Sequence, residues 1–331
     1  EYPRPADGYL LRNDSRNGTL RFTLVTEEWA PELKQLGMIT DAVWTDLNGD
    51  RQPDLVITGE WMGIRFFQNN NGKLKAVAGG TENATGWYTR LAAADLDGDG
   101  DTDFVVGNFG INGFYKGTTT EPVTVYANDY DGNNRWNALL SIWQPTVLHG
   151  PRKEVPVAGR DQLAEEMPII KKQFANYQPY AKADMQTVLA NFNRQNEIVR
   201  KAVQFHSVWL ENKGNFRFEL HALPAPAQWS PVYGIATGDF NNDGKTDIVL
   251  SGNQYDMHPL IGRYDAGCGL LLAGVGKGVF EPVPLQQSGI FIPGNARGLA
   301  TLRLGSNPAL IAARNKDHLL LFAANTSSPP K

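Results

Sequence analysis

One acidic loop, written three times between pairs of apolar segments, constrains this chain more than any other feature. The copies are Ala42–Gly59, Ala92–Gly107 and Ile235–Gly252. Each reads as a short strand, a run of Asp, Asn and Gly, and a second strand of β-branched and aromatic residues. A repeated supersecondary unit decides architecture ahead of local propensity, because no copy can bury its apolar face alone.

The first copy is followed by Ile64–Gln68, a turn at Asn69–Gly72 and Lys73–Val77, two more strands joined as a hairpin. The same couplet recurs at Ser207–Gly214 with Phe216–Leu220, at Leu270–Gly274 with Val279–Val283, and at Tyr9–Asn13 with Leu20–Val25. Four-stranded antiparallel units at this spacing predict an all-β fold, a β-propeller of five to seven blades, in one domain over residues 1–323. A β-sandwich would not need the same acidic loop between the same two strands each time. The last unit supplies Gly298–Leu302, Ala309–Ala313 and Leu319–Ala323 without an outer strand, so closure of the ring by pairing the two termini is expected. The polar stretch 324–331 is expected to be a disordered tail.

The third unit is interrupted. Its first strands are Val123–Asp129 and Asn137–Trp143, and its outer couplet is expected only at Ser207. Between them, Leu163, Met167, Ile170 and Phe174 fall at helical spacing, and a second helical stretch is expected over Tyr180–Ala202. Residues 161–202 therefore read as a helical insertion capping one face of the propeller, either an element where binding specificity collects or a plug that only covers apolar surface.

Oxygen-bearing side chains occupy positions 1, 3, 5 and 9 of each loop: Asp46, Asn48, Asp50 and Asp54; Asp95, Asp97, Asp99 and Asp103; Asp239, Asn241, Asp243 and Asp247. Gln52, Asp101 and Lys245 stand at position 7, where a backbone carbonyl would serve. Calcium takes six to eight oxygens, and a tight loop of alternating carboxylates suits it better than it suits magnesium, whose octahedral demands are stricter. Three calcium sites are expected. A fourth set, Asp129, Asp131, Asn133, Arg135 and Asn137, carries fewer carboxylates and is a weaker candidate. An EF-hand is excluded because its bidentate Glu at position 12 is replaced by Ile57, Val106 and Leu250, inside runs that continue as strands.

These loops resemble the FG-GAP/VCBS repeats of integrin α-subunit propellers and of bacterial surface proteins, in which the acidic loop binds calcium between two strands. The looser likeness of Tyr2–Pro5 with Tyr9–Asn13, Gly59–Met62, Gly107–Asn112 and Gly262–Asp265 is to the C-terminal region of large VCBS-repeat proteins exported by Bacteroidetes. The resemblance implies a secreted, cell-surface or outer-membrane-associated setting and membership of a larger polypeptide. Pro53 departs from the usual small polar residue of the loop.

Composition excludes other classes. The chain has 331 residues, 41% of them apolar, and a net charge of -4 with its basic residues scattered, which is no nucleic-acid footprint. No apolar run approaches the roughly 20 residues of a membrane span. Cys268 is the only cysteine, so no intrachain disulfide can staple the fold. The chain begins at Glu1 and shows no signal peptide, as expected of a processed or excised piece.

Catalytic patterns are scarce. His149, His206, His221, His258 and His318 show no zinc spacing, and no Gly-x-Ser-x-Gly elbow or phosphate loop is present. Trp44 and Trp209 read as strand packing, whereas Trp61, Trp87, Trp136 and Trp229 lie near strand ends or loops and are the candidates for exposure, a ligand role being the lesser reading for any of them. Two functions follow: a non-enzymatic binding, adhesion or scaffold module for a protein or glycan partner, and a polysaccharide-active hydrolase or lyase with its site in a central funnel. Glu60, Arg160, Asp161, Arg263 and Asp265 are the residues whose convergence would favour the second.

Overall fold

The computed structural model describes residues 2–147, 150–305 and 307–323. His149 and the 324–331 segment lie outside them. The chain opens with a hairpin, β1 (Leu11–Asn13) and β2 (Phe22–Leu24), and a short helix α1 (Thr26–Trp29). The first repeat sheet follows, from β3 (Met38–Thr45), β4 (Asp54–Met62), β5 (Arg65–Asn70) and β6 (Lys73–Val77), with β7 (Gly86–Trp87) added against β4. Next come β8 (Arg90–Ala94) and β9 (Asp103–Gly107), the first half of the second sheet.

The chain then departs into β10 (Val123–Asn128), β11 (Asn137–Pro145), β12 (Arg152–Pro156), four short helices α2 (Arg160–Glu166), α3 (Ile169–Gln173), α4 (Tyr177–Lys182) and α5 (Met185–Leu189), and β13 (Ile198–Ala202). It returns with β14 (Val208–Asn212) and β15 (Phe218–Ala222), which complete the second sheet in the order β15-β14-β9-β8. The third repeat sheet is β16 (Gly234–Gly238), β17 (Asp247–Ser251), β18 (Leu270–Gly276) and β19 (Val279–Val283). After helix α6 (Leu285–Ser288), the last sheet is β20 (Ala296–Leu304), β21 (Asn307–Arg314) and β22 (Leu320–Ala323). Every strand-to-strand ladder among the described residues is antiparallel, with one isolated parallel bridge between Gly86 and Gln204.

The first strands β3, β8, β16 and β20 lie side by side in that order, so the four repeat sheets stand in series. In three of them the second strand is buried almost end to end: β4, β9 and β17 read as continuous apolar runs because both faces are covered, β9 and β17 by neighbouring sheets and β4 by the second sheet on one face and by Ala30 and Leu33 of the N-terminal segment on the other. Val56, Phe66, Phe104 and Leu210 fill the layer between the first two sheets, and Val105, Ile248 and Leu272 the next.

Four expectations change. The Ser207 couplet belongs to the second unit, not the third: Val208 pairs with Val106 and Leu210 with Phe104. The third unit is instead a separate inserted sheet, ordered β12-β11-β10-β13, so the departure spans everything between β9 and β14. Tyr180–Ala202 is not one helix, since Ile198–Ala202 is a strand on β10, where every residue is buried and needs a partner on each side. The helical stripe packs on this inserted sheet rather than capping the repeat sheets: Leu163, Met167, Ile170 and Phe174 share a core with Tyr126, Tyr130 and Leu139. Last, the N-terminal hairpin pairs with itself and the last sheet stays three-stranded, so the expected pairing of the termini is not made among the described residues. No helix among them is long and apolar enough to cross a membrane.

Candidate metal loops

Each acidic loop folds by the same short-range logic. Its first aspartate faces back into the turn and gathers the backbone N–H groups that a tight loop leaves without partners. Asp46 accepts from Gly49 at 2.8 Å and Arg51 at 2.7 Å. Asp95 accepts from Gly98 at 2.7 Å and Gly100 at 3.1 Å, and Asp239 from Asp243 at 3.1 Å and Gly244 at 2.9 Å. The position-3 side chains Asn48, Asp97 and Asn241 each accept the N–H of position 5, and Asp50, Asp99 and Asp243 each accept the N–H of position 7. Gly49 and Gly98 take positive φ at the bend, where a side chain would be strained.

Position 9 does something else. Asp54, Asp103 and Asp247 are fully buried. One carboxylate oxygen of each accepts the N–H of loop position 2 (Leu47, Leu96 and Phe240) at 3.1, 3.0 and 2.9 Å. The other accepts an N–H from the third strand of the same sheet: Asn69 at 2.8 Å, Asn212 at 2.8 Å and Gly274 at 2.9 Å. These aspartates tie the loop to its sheet, a role that ligand spacing alone does not reveal.

The second loop concentrates charge. One carboxylate oxygen from each of Asp95, Asp97 and Asp99 lies within 4.8 Å of the others. Asp101 has a buried Oδ1 with no hydrogen-bond partner. Burial, with the nearby Asp99 and Asp103 carboxylates, pushes Asp101 up to about 6. Burial also pushes Asp103 up to about 6, against the pull of its hydrogen bonds from Asn212 and Leu96. Burial, then Asp99 and Glu211, raises Asp97. In the first loop Asp46 moves the other way, because the upward push of burial is outweighed by the N–H groups of Arg51, Asn48, Gly49 and Asp50. Crowded hard oxygens, one of them orphaned, are a donor set that a divalent cation fits.

The position-7 residues are consistent with a carbonyl role. Gln52 spends its side chain on the next hairpin, accepting the N–H of Asn71 at 2.8 Å. The fourth loop keeps the bend but not the tie. Asp129 accepts from Asn133 at 3.0 Å and Asn134 at 2.9 Å, and Asn133 accepts from Arg135 at 2.8 Å. Asn137 replaces the buried aspartate, and its Oδ1 is buried without a partner. The loop joins β10 to β11 and so belongs to the inserted sheet.

The other candidates scatter. Arg160 and Asp161 pair with each other at 2.6 Å in α2, where the Tyr177 hydroxyl donates to Asp161 at 2.6 Å. Arg263 lies over Tyr255, and Glu60 sits at the end of β4. Their partners are different groups. Trp61 and Trp87 are buried, contrary to expectation, in an aromatic cluster in which Trp87 makes edge contacts with Trp61, Phe109, Tyr115 and Phe205. Trp229 is exposed as expected, Trp136 is half-buried, and Trp44 is exposed although it lies within β3. The sequence missed a cluster of Glu211, Glu219 and His221, brought together by the register of β14 on β15. The His221 ring stacks on Trp209, and Lys213 pairs with Glu211 at 2.5 Å, so a cation is already present there.

Antiparallel sheets in series, three of them tied by a buried aspartate to an acidic loop between the first two strands, define an acidic-loop β-repeat protein. The chain carries FG-GAP repeats: the FG-GAP-like repeat model matches residues 46–106, and the FG-GAP repeat model matches residues 87–126 and 232–267. No curated protein matches it. Among solved structures, the chain is similar to the Vibrio cholerae biofilm matrix protein Bap1, with 13% identity, a TM-score of 0.31, and coverage of 99% of this chain and 70% of that one.

Proposed function

We propose that this chain is a calcium-stabilised, extracytoplasmic binding module without catalytic activity, whose repeat sheets form a propeller that presents surfaces to a protein or glycan partner. The observation that carries the reading is the second loop, where Asp95, Asp97 and Asp99 bring oxygens within 4.8 Å of one another. Asp95, Asp97 and Asp99, with the carbonyl of Asp101, would hold the ion, while Asp103 fastens the loop to its sheet from behind. Asp46, Asn48, Asp50 and Asp54, and Asp239, Asn241, Asp243 and Asp247, would serve in the same way, with the carbonyls of Gln52 and Lys245. Calcium supplies charge neutralisation there, and the chain's own residues hold the loop's shape. FG-GAP repeats at two places along the chain support a repeat scaffold. The secreted or cell-surface setting within a larger polypeptide belongs to the same reading.

A ligand bound only by the folded state stabilises it by about 2.7 kcal/mol per site at a hundredfold excess over Kd. Thermal melts with calcium and with EDTA test this. A clear fall in Tm on chelation, restored by calcium and less by magnesium, is the expected result. Superimposable curves would remove the proposal.

A further inference from the structure

The sheet-bearing loops leave one polar cavity unexplained. It has a volume of about 400 Å³ and lies where the end of β4 and the start of β5 meet strand β13 of the inserted sheet. Arg65, Arg200 and Lys201 line it, and among the described residues the only acidic one on its wall is Glu60. Glu60 is already engaged with the Tyr2 hydroxyl, and burial raises its carboxyl above the ordinary value. Among the described residues, none of the three cations makes an ion pair or a side-chain hydrogen bond. Arg65 is the sharpest case, since its Nε is buried and has no acceptor. Buried guanidinium groups are ordinarily matched by an acceptor, because an unmatched one forfeits its hydration without return.

We propose that this cavity binds a saccharide unit bearing carboxylate or sulfate groups, with Arg65 as the anchoring cation and Arg200 and Lys201 at the rim. This rests on the binding-module reading and names its ligand class. Planar guanidinium donors suit carboxylate and sulfate oxygens, which accept in pairs. The volume lies within the range of small-ligand pockets, and its concave form fits one or two sugar units better than an extended peptide, which would need a groove or a free strand edge. The edge of β13 beyond Ala202 is not free, since Val203 and Gln204 donate their N–H groups to the Thr85 carbonyl at 2.8 and 3.0 Å. At the mouth, Trp61 takes a left-handed φ of 61° at a break in the β4–β7 register, and its indole N–H donates to Tyr2.

The calcium-loaded chain would be titrated calorimetrically with trigalacturonate, a sulfated disaccharide, neutral cellotriose and a triglutamate peptide. Saturable binding of an acidic saccharide is expected, stronger at low salt, with at least a tenfold loss in Arg65→Gln and a smaller loss in Arg200→Gln, whose exposed side chain gives an independent variant should the first fold poorly. Two arms distinguish carboxylate from sulfate. Binding of cellotriose as tight as that of the acidic sugars, binding of triglutamate alone, no saturation by any probe, or unchanged affinity in both variants would each overturn the proposal. The calcium-dependent melt is read separately, so loss of sugar binding with the melt intact rejects this site and leaves the metal loops standing.

Discussion

The Oδ1 of Asp103 accepts the backbone N–H of Asn212 at 2.8 Å, across 109 residues of chain, while its Oδ2 holds Leu96. One buried carboxylate thereby fastens a metal loop to a strand that arrives after the whole insertion. Asp103→Ala would strand two buried N–H groups at about 1–3 kcal/mol each, giving a loss of about 2–6 kcal/mol. That loss should persist in EDTA. Asp99→Ala in EDTA should be close to neutral, because it removes one of several repelling carboxylates and only a local bond to Asp101. Urea unfolding of both variants in EDTA checks this, and equal losses would refute the division between tie and ligand.

With calcium present the ranking among loops takes over. Asp99→Ala should then destabilise more than Asn133→Ala, since on the proposed reading the second loop would lose a ligand of its ion. The fourth loop already lacks a carboxylate at positions 5 and 9. Equal shifts in Tm for the two variants in calcium would contradict this ranking.

Acid should act with a distinctive sign on the metal-free chain. The Asp103 carboxyl is raised from 3.8 to about 6 on folding, so between those values the folded state binds the extra proton and stability falls as pH rises. In EDTA the wild type should therefore gain on Asp103→Asn as pH drops from about 7 to about 5. In calcium the trend should weaken, because an ion on Asp95, Asp97 and Asp99 would favour the ionised form of Asp103 beside it. A difference between the two proteins that is flat with pH in EDTA would show that Asp103 does not titrate as described.

The helices of the insertion should prove to be structural. Met167 is fully buried against the inserted sheet, and Met167→Ala should cost about 2–5 kcal/mol by cavity formation. Limited proteolysis should then cut the insertion first. Replacing residues 160–190 with a Gly/Ser linker should expose Tyr126 and Leu139 and loosen that sheet, observed as new dye binding to apolar surface. An unchanged cleavage pattern in Met167→Ala would weigh against this assignment.

The repeat sheets were legible because their signals are local: apolar runs of strand length, Asn and Gly turns, and ligand spacings confined to nine residues. Strand assignment within a couplet was right even where its owner was wrong. Val208–Asn212 looks the same in sequence whether it completes the second sheet or the third, and only packing against Phe104 and Val106 decides. Ile198–Ala202 was misjudged as helix because its Arg and Lys make the segment neither alternating nor apolar, and a buried neighbour strand imposed the pairing. Position 9 was legible as an oxygen donor but not as a tie, since its partner Asn212 is far along the chain. The Arg65 cavity had no sequence signal, because its wall joins residues from β4, β5 and β13.

The detour between β9 and β14 also bears on how the protein is made. A ribosome delivers Phe104 and Val105 about a hundred residues before the strand that covers them, since β9 ends at Gly107 and β14 begins at Val208. Throughout that interval β9 offers a row of unpaired N–H and C=O groups beside bulky apolar side chains, a template for strand exchange with a second nascent copy. A transcript ending anywhere inside the detour would fix that state permanently, so translation through Asn212 is the point at which the young chain stops being a hazard to its neighbours.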